Sequence, residues 1–121
     1  MENTYLPLGT HVFGNLFNCQ NVLSLEDENY TRKLLYEAAY ASGATPLVFS
    51  FYKFEPHGVT ATLILSESHI SIHSYPDHAT VFVDVFTCGE HTTPQYGVRH
   101  ILDQLGSKTN NVSTVKREAN I

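Results

Sequence analysis

The sequence is poor in several features that would assign it to a broad class. Lys and Arg together number only 7 among 121 residues, against 12 Asp and Glu, and the net charge is −5. No basic run appears, which argues against a phosphate-neutralising surface and against nucleic acid as a partner. No apolar stretch reaches the roughly 18 residues of a membrane helix. The first five residues, Met1 to Tyr5, show no basic segment leading into an apolar one. A cytoplasmic protein, neither exported nor membrane-bound, is expected. The only cysteines, Cys19 and Cys88, lie far apart and outside any C-x-x-C motif. In a reducing compartment, two free thiols are the default.

Repeats, low-complexity tracts and linkers rich in Pro, Gly or Ser are also missing. A single domain over 1–121 is the simple reading, and its length suits one modest core. Several familiar catalytic signatures are absent: there is no G-x-G-x-x-G, no Walker lysine motif and no G-x-S-x-G elbow. None of Lys33, Lys53, Lys108 and Lys116 stands in the apolar setting of a Schiff-base lysine.

What is present is a regular alternation of strand and helix signals. Residues 9–17 read as a first strand, with Gly14 as a candidate bulge. Ser24 followed by Asp27 resembles a capping box. Tyr30, Leu34, Ala38 and Ala41 then recur at helical spacing up to Gly43, so one helix is predicted over 25–42. Residues 45–54 and 58–66 are apolar, β-branched runs joined by a turn at Pro56-His57-Gly58. In 69–75, Ile70 and Ile72 face one way and His69, Ser71, His73 and Tyr75 the other. In 79–86, Val81, Val83 and Val85 oppose Phe82, Asp84 and Phe86, with Cys88 joining the latter if the strand persists. Thr93-Pro94 starts a second helix whose stripe is Val98, Ile101, Leu102 and Leu105, stopped by Gly106. The polar tail from Ser107 reads as an edge strand with a frayed end. The predicted fold is a two-layer α/β sandwich with a mainly antiparallel sheet and two helices on one face.

Seven histidines are many for this length, and five fall between His57 and His91. Taken singly they have plain readings. His69 and His73 on one strand face suit polar surface, and Cys88 suits a small core residue. With Cys88 and His91 they could begin a zinc site, but no paired Cys or four-ligand spacing backs a metal. Asp84, on the face shared with Cys88, either orients a site histidine or binds local backbone groups. Cys19 reads as a buried or half-buried thiol.

Two segments change these readings together. They are Ser66-Glu67-Ser68-His69-Ile70-Ser71-Ile72-His73 and Phe86-Thr87-Cys88-Gly89-Glu90-His91, with Cys88 fifteen residues after His73. With Leu8-Gly9-Thr10-His11, Ser42-Gly43-Ala44-Thr45 and Gly58-Val59-Thr60, they resemble the short prokaryotic form of the pyruvoyl-dependent S-adenosylmethionine decarboxylases. The resemblance covers most of the chain. It implies self-cleavage between Glu67 and Ser68 into a β chain of 1–67 and an α chain of 68–121. The Ser68 hydroxyl attacks the Glu67 carbonyl to give an ester. A base removes the α-proton of residue 68, the ester is eliminated, and hydrolysis leaves a pyruvoyl group and ammonia. That group forms an imine with an amino acid and absorbs the electrons left when CO2 departs. No pyridoxal phosphate and no metal are expected.

The resemblance also assigns roles. His73 is the proton acceptor in processing, and imidazoles suit proton transfer near neutral pH. Thr60 is the hydroxyl that assists processing. Cys88 is the acid that reprotonates the substrate carbon. Phe54 stacks on adenine, and a sulfonium also favours an aromatic face. Asp77 holds the ribose hydroxyls. The family's short form is a homodimer with sites between subunits. Here that means a four-layer αββα assembly with the sheets face to face. Its product feeds spermidine synthesis. Around the substrate this sequence departs from the family: Thr10 replaces Arg, Asn15 an acidic residue, Tyr75 a Trp, and Asp77 a Glu. Those changes leave arginine or ornithine as the alternative substrate on the same scaffold. An inactive regulatory partner subunit is a second alternative, opposed by the intact Glu67, Ser68, His73 and Cys88.

Overall fold

The computed structural model describes residues 7–119. Six strands and two helices follow in the order β1 (Leu8–Phe17), α1 (Glu28–Ala41), β2 (Pro46–Lys53), β3 (Val59–Leu65), β4 (Ser68–Tyr75), β5 (Thr80–Thr87), α2 (Pro94–Leu105) and β6 (Thr109–Glu118). Short 3-10 turns cover Val22–Glu26 and Pro76–His78. The strands form one sheet in the order β2-β3-β4-β5-β1-β6, with every pairing antiparallel. This is the two-layer arrangement expected from the alternation of patterns.

Both helices lie on one face, α1 against β2 and β3 and α2 against β1 and β5. The reason is visible in the strands. Val12, Leu16, Leu63, Ile70, Ile72, Val81 and Val85 all point to that side and are fully buried with Leu35, Ile101 and Leu105 from the helices. Each such side chain contributes roughly 1.5–3 kcal/mol by leaving water.

Among the described residues, no helix covers the opposite face. Phe13, Val48, Tyr52, Ile64, Tyr75, Phe82 and Val115 are exposed there, beside the polar side chains of His11, His69, His73 and Asp84. A sheet face this apolar is unusual on a protein that acts alone.

Three local readings need correction. Asp27, not Ser24, caps α1. Its carboxylate accepts the N–H groups of Asn29 at 2.9 Å and Tyr30 at 3.2 Å, while Ser24 belongs to the preceding 3-10 turn. Gly14 is no bulge: β1 keeps register with β5 and β6 through it, and the one shift lies between Pro46 and Val48 in β2. Cys88 falls just past β5, in the loop leading to α2. Thr93 does precede α2 and Pro94, but its side chain makes no capping hydrogen bond. The predicted edge strand is β6; the end of the predicted frayed tail, at 120–121, lies outside the described residues.

Candidate active site

The β3–β4 connection is the tightest turn in the sheet. Leu65 pairs with Ser68, so only Ser66 and Glu67 form the loop. Two-residue hairpins favour Gly or Asn, which tolerate the positive φ the turn needs. Neither is present. The distortion falls on Ser68, whose φ is +145, a value L side chains rarely adopt. Such conformations cost on the order of 1–3 kcal/mol and persist where surrounding contacts enforce them.

Those contacts converge on Glu67. Its backbone carbonyl accepts the Cys88 N–H at 2.9 Å. Its side chain is buried at 4% exposure. One carboxylate oxygen accepts the Thr45 N–H at 2.9 Å, and the other lies 2.9 Å from His91 Nε2. Burial pushes the Glu67 carboxyl up, but the bonds from His91 and Thr45 outweigh it and hold it below the usual value. The Cys88 thiol sits 3.9 Å from the Ser68 hydroxyl. Thr92 secures the loop, with its hydroxyl 2.9 Å from both the Thr87 hydroxyl and the Gly89 carbonyl. An open cleft of about 380 Å³ borders this end, lined by Leu8, Phe86, Cys88 and Arg117.

The other residues singled out from sequence lie elsewhere. His73 is at the far end of β4, its Nδ1 3.2 Å from the Thr60 hydroxyl across the β3 pairing. It lies five positions along the strand from Ser68, about 17 Å at the usual strand rise. Phe54 stands at the same far end, where its N–H bonds the Gly58 carbonyl at 2.8 Å and its ring meets Tyr52 at 4.8 Å. Asp77 is on the 3-10 turn after β4, in a cleft of about 260 Å³ that includes His57, Tyr75 and His78. Within one chain, then, the sheet brings Glu67, Ser68 and Cys88 together at one end. It gathers Thr60, His73, Phe54 and Asp77 at the other.

Between the two ends, on the open face, lies a group that sequence reading did not assemble. His11 and His69 each place Nε2 against the same oxygen of Asp84, at 2.8 and 2.9 Å, and the Ser71 hydroxyl bonds the other oxygen. Burial raises the Asp84 carboxyl; the bonds from His69, Ser71 and His11 overcome this and leave it at about 2. The bond to Asp84 raises His69. Asp84 therefore orients histidines, but His11 and His69 rather than His73. Among the described residues this is the one cluster whose donor atoms lie close enough for a metal. Cys88 and His91 take no part in it. Each imidazole in it already has the carboxylate as a partner, so the cluster is electrostatically satisfied as it stands.

Fold and site together define an α/β enzyme domain with a strained serine in a hairpin turn and a thiol beside it. The family model for S-adenosylmethionine decarboxylase matches residues 10–118. An S-adenosylmethionine decarboxylase proenzyme from a Synechococcus species is 40% identical over 92% of this chain and 86% of its own length. One from Methanococcus maripaludis is 42% identical over 91% and 89%. The crystal structure of the adenosylmethionine decarboxylase from Aquifex aeolicus superposes with a TM-score of 0.83 at 30% identity, covering 96% of this chain and 95% of that one. The chain belongs to the S-adenosylmethionine decarboxylase family.

Proposed function

We propose that this protein is a carbon–carbon lyase that removes the carboxyl group of S-adenosylmethionine, and that it makes its own pyruvoyl group from Ser68. The observation that carries the reading is the state of the Glu67–Ser68 peptide. The Ser68 backbone is strained, and the carbonyl it would attack is held by the Cys88 N–H at 2.9 Å. When the Ser68 oxygen adds to that carbonyl, negative charge develops on the carbonyl oxygen. A fixed N–H aimed at this oxygen stabilises the charge without reorganisation. Collapse with loss of the amide nitrogen gives the ester. Removal of the residue 68 α-proton then expels the Glu67 carboxylate as the end of a β chain of 1–67.

The base for that step is His73, with Thr60 holding its Nδ1. About 17 Å of strand separates His73 from Ser68 in its own chain. The reading therefore requires a homodimer. A twofold axis across the strands, through the middle of β4, lays the His73 end of one protomer over the Ser68 end of its partner. The apolar open face and its exposed Phe13, Tyr75 and Phe82 support such a pairing. Each site then takes Ser68 and Cys88 from one protomer and Thr60, His73, Phe54 and Asp77 from the other.

The pyruvoyl group supplies a carbonyl to engage the substrate amine and an electron sink for the bond that loses CO2. The chain supplies the rest. Phe54 offers a half-exposed aromatic face for the adenine and the sulfonium. Asp77 accepts hydrogen bonds from the ribose hydroxyls. The Cys88 thiol returns a proton to the substrate carbon. A reducing, cytoplasmic setting would keep that thiol available.

Intact mass of the incubated protein tests the first half. The expected result is two chains, 1–67 and a blocked chain from 68; a stable chain of 13.6 kDa sinks it. Carboxyl-labelled S-adenosylmethionine, arginine and ornithine, supplied in turn, test the second. Labelled CO2 is expected from the sulfonium substrate alone.

A further inference from the structure

We infer that His91 is a positioning residue for chain cutting: it pins the Glu67 side chain while Ser68 attacks, and afterwards holds the new β-chain end to the α chain. The inference rests on the self-processing reading above.

Three anchors fix Glu67. Thr45 N–H and His91 Nε2 take one carboxylate oxygen each, both at 2.9 Å, and Cys88 N–H takes the backbone carbonyl at 2.9 Å. A carboxylate this buried is stable only when its oxygens are paired. Without His91, the second oxygen loses its imidazole partner on the loop after β5. With His91 in place, residue 67 cannot rotate, so its carbonyl stays on the Cys88 N–H and presents a fixed face to the Ser68 hydroxyl. Attack within a fixed pair is faster than within a loose one, because the orientation is already set.

The position of the anchors relative to the cut gives the second half. Thr45 lies in the β chain. Cys88 and His91 lie in the α chain. Once the 67–68 bond is broken, Glu67 is a chain end, and ends fray unless tied down. Two of its three ties now cross the cut. They keep the end in place as a wall of the Ser68 site. His91 can do this because Thr93 N–H bonds the Ser42 carbonyl at 2.8 Å and Thr92 secures Cys88 and Gly89, which fixes the loop over the hairpin turn.

The test follows cutting of newly translated chains by denaturing gel. His91→Ala is expected to cut about tenfold more slowly than wild type, the usual scale for one hydrogen bond to a charged group. His91→Gln, whose side-chain NH2 can reach the same oxygen, is expected to come within about twofold of wild type. On a Glu67→Ala background, His91→Ala is expected to add nothing. Equal rates for wild type and His91→Ala overturn the proposal, as does a full extra loss on the Glu67→Ala background. A His91→Gln as slow as His91→Ala overturns it too. After cutting, carboxypeptidase is expected to trim Glu67 faster from His91→Ala than from wild type, read by mass; equal trimming overturns the anchoring half. A wild type that never cuts sinks the self-processing reading and this inference together. A wild type that cuts beside an unaffected His91→Ala sinks only the role of His91.

Discussion

In the proposed self-cutting, Ser68 is both the nucleophile and the residue that absorbs the turn's distortion, and the two roles separate by substitution. Ser68→Ala and Ser68→Gly both lose the hydroxyl, and both are expected to stay as one uncut chain. Only glycine accepts a φ of +145 without steric cost. Ser68→Gly should therefore be more stable than Ser68→Ala by ~1 kcal/mol in urea unfolding; equal midpoints would mean that the turn is relaxed. Cys88 divides in a similar way. Its N–H holds the Glu67 carbonyl, and its thiol lies beside Ser68. Cys88→Ala keeps the N–H, so it should still cut. Its turnover should fall by about 10²-fold or more, the scale for a lost general acid. Normal turnover in that variant would remove the thiol from the mechanism. Ser68, His73 and Cys88 stand out in the sequence only through the family resemblance of the segments that carry them, and the variants above test the roles of Ser68 and Cys88. The ties of Glu67 to Thr45 and His91 were not legible in it. They join residues 22 and 24 positions apart, and only the packing of the α1–β2 connection and the loop after β5 around the β3–β4 turn creates them.

The alternation within each strand shows how far pattern reading reaches at the level of elements. Ile70 and Ile72 in β4, and Val81, Val83 and Val85 in β5, were assigned to one face, and that is the face the helices cover. The start of α1 was missed because both Ser24 and Asp27 are competent caps. The choice depended on which of them the preceding 3-10 turn left free. Cross-strand partners were also illegible, since nothing in the sequence says that β1 pairs with β5. That pairing sets His11 beside Asp84, and the β4–β5 pairing adds His69 and Ser71. The cluster predicts a pH dependence. Asp84 is depressed from 3.8 to about 2, so its contribution is present above pH ~4 and is lost as pH falls toward 2; it amounts to ~2 kcal/mol. His69 is raised from 6.5. Its contribution is complete below that value and fades as pH rises through the raised one. Stability from this cluster should therefore be greatest between about pH 4 and 6.5. Asp84→Asn should flatten both arms of a urea-midpoint profile. An unchanged profile in that variant would show that other groups set the pH response.

For the molecule as a whole, the sheet holds the two groups of proposed site residues apart. Ser68 and Cys88 sit where β4 begins and β5 ends, while His73, Thr60, Phe54 and Asp77 sit where β4 ends. No rotamer change spans about 17 Å of strand, and a rigid six-stranded sheet cannot fold its own ends together. In the homodimer proposed above, the open face offers the alternative: a second copy, turned about a twofold axis, would supply the missing half to each site. Complementation tests this directly. Cys88→Ala and Phe54→Ala are each expected to turn over slowly as pure proteins. When they are co-expressed, half of the dimers pair one of each. One site in such a dimer then carries both defects and the other carries none, so mixed preparations should recover about a quarter of wild-type activity. If each chain contains a complete site, mixing restores nothing beyond the average of the two variants. The two outcomes are far enough apart for a single labelled-CO2 assay to separate them. The same preparation, read by native mass, reports whether chain pairs formed, so a missing recovery cannot be put down to a failure to mix.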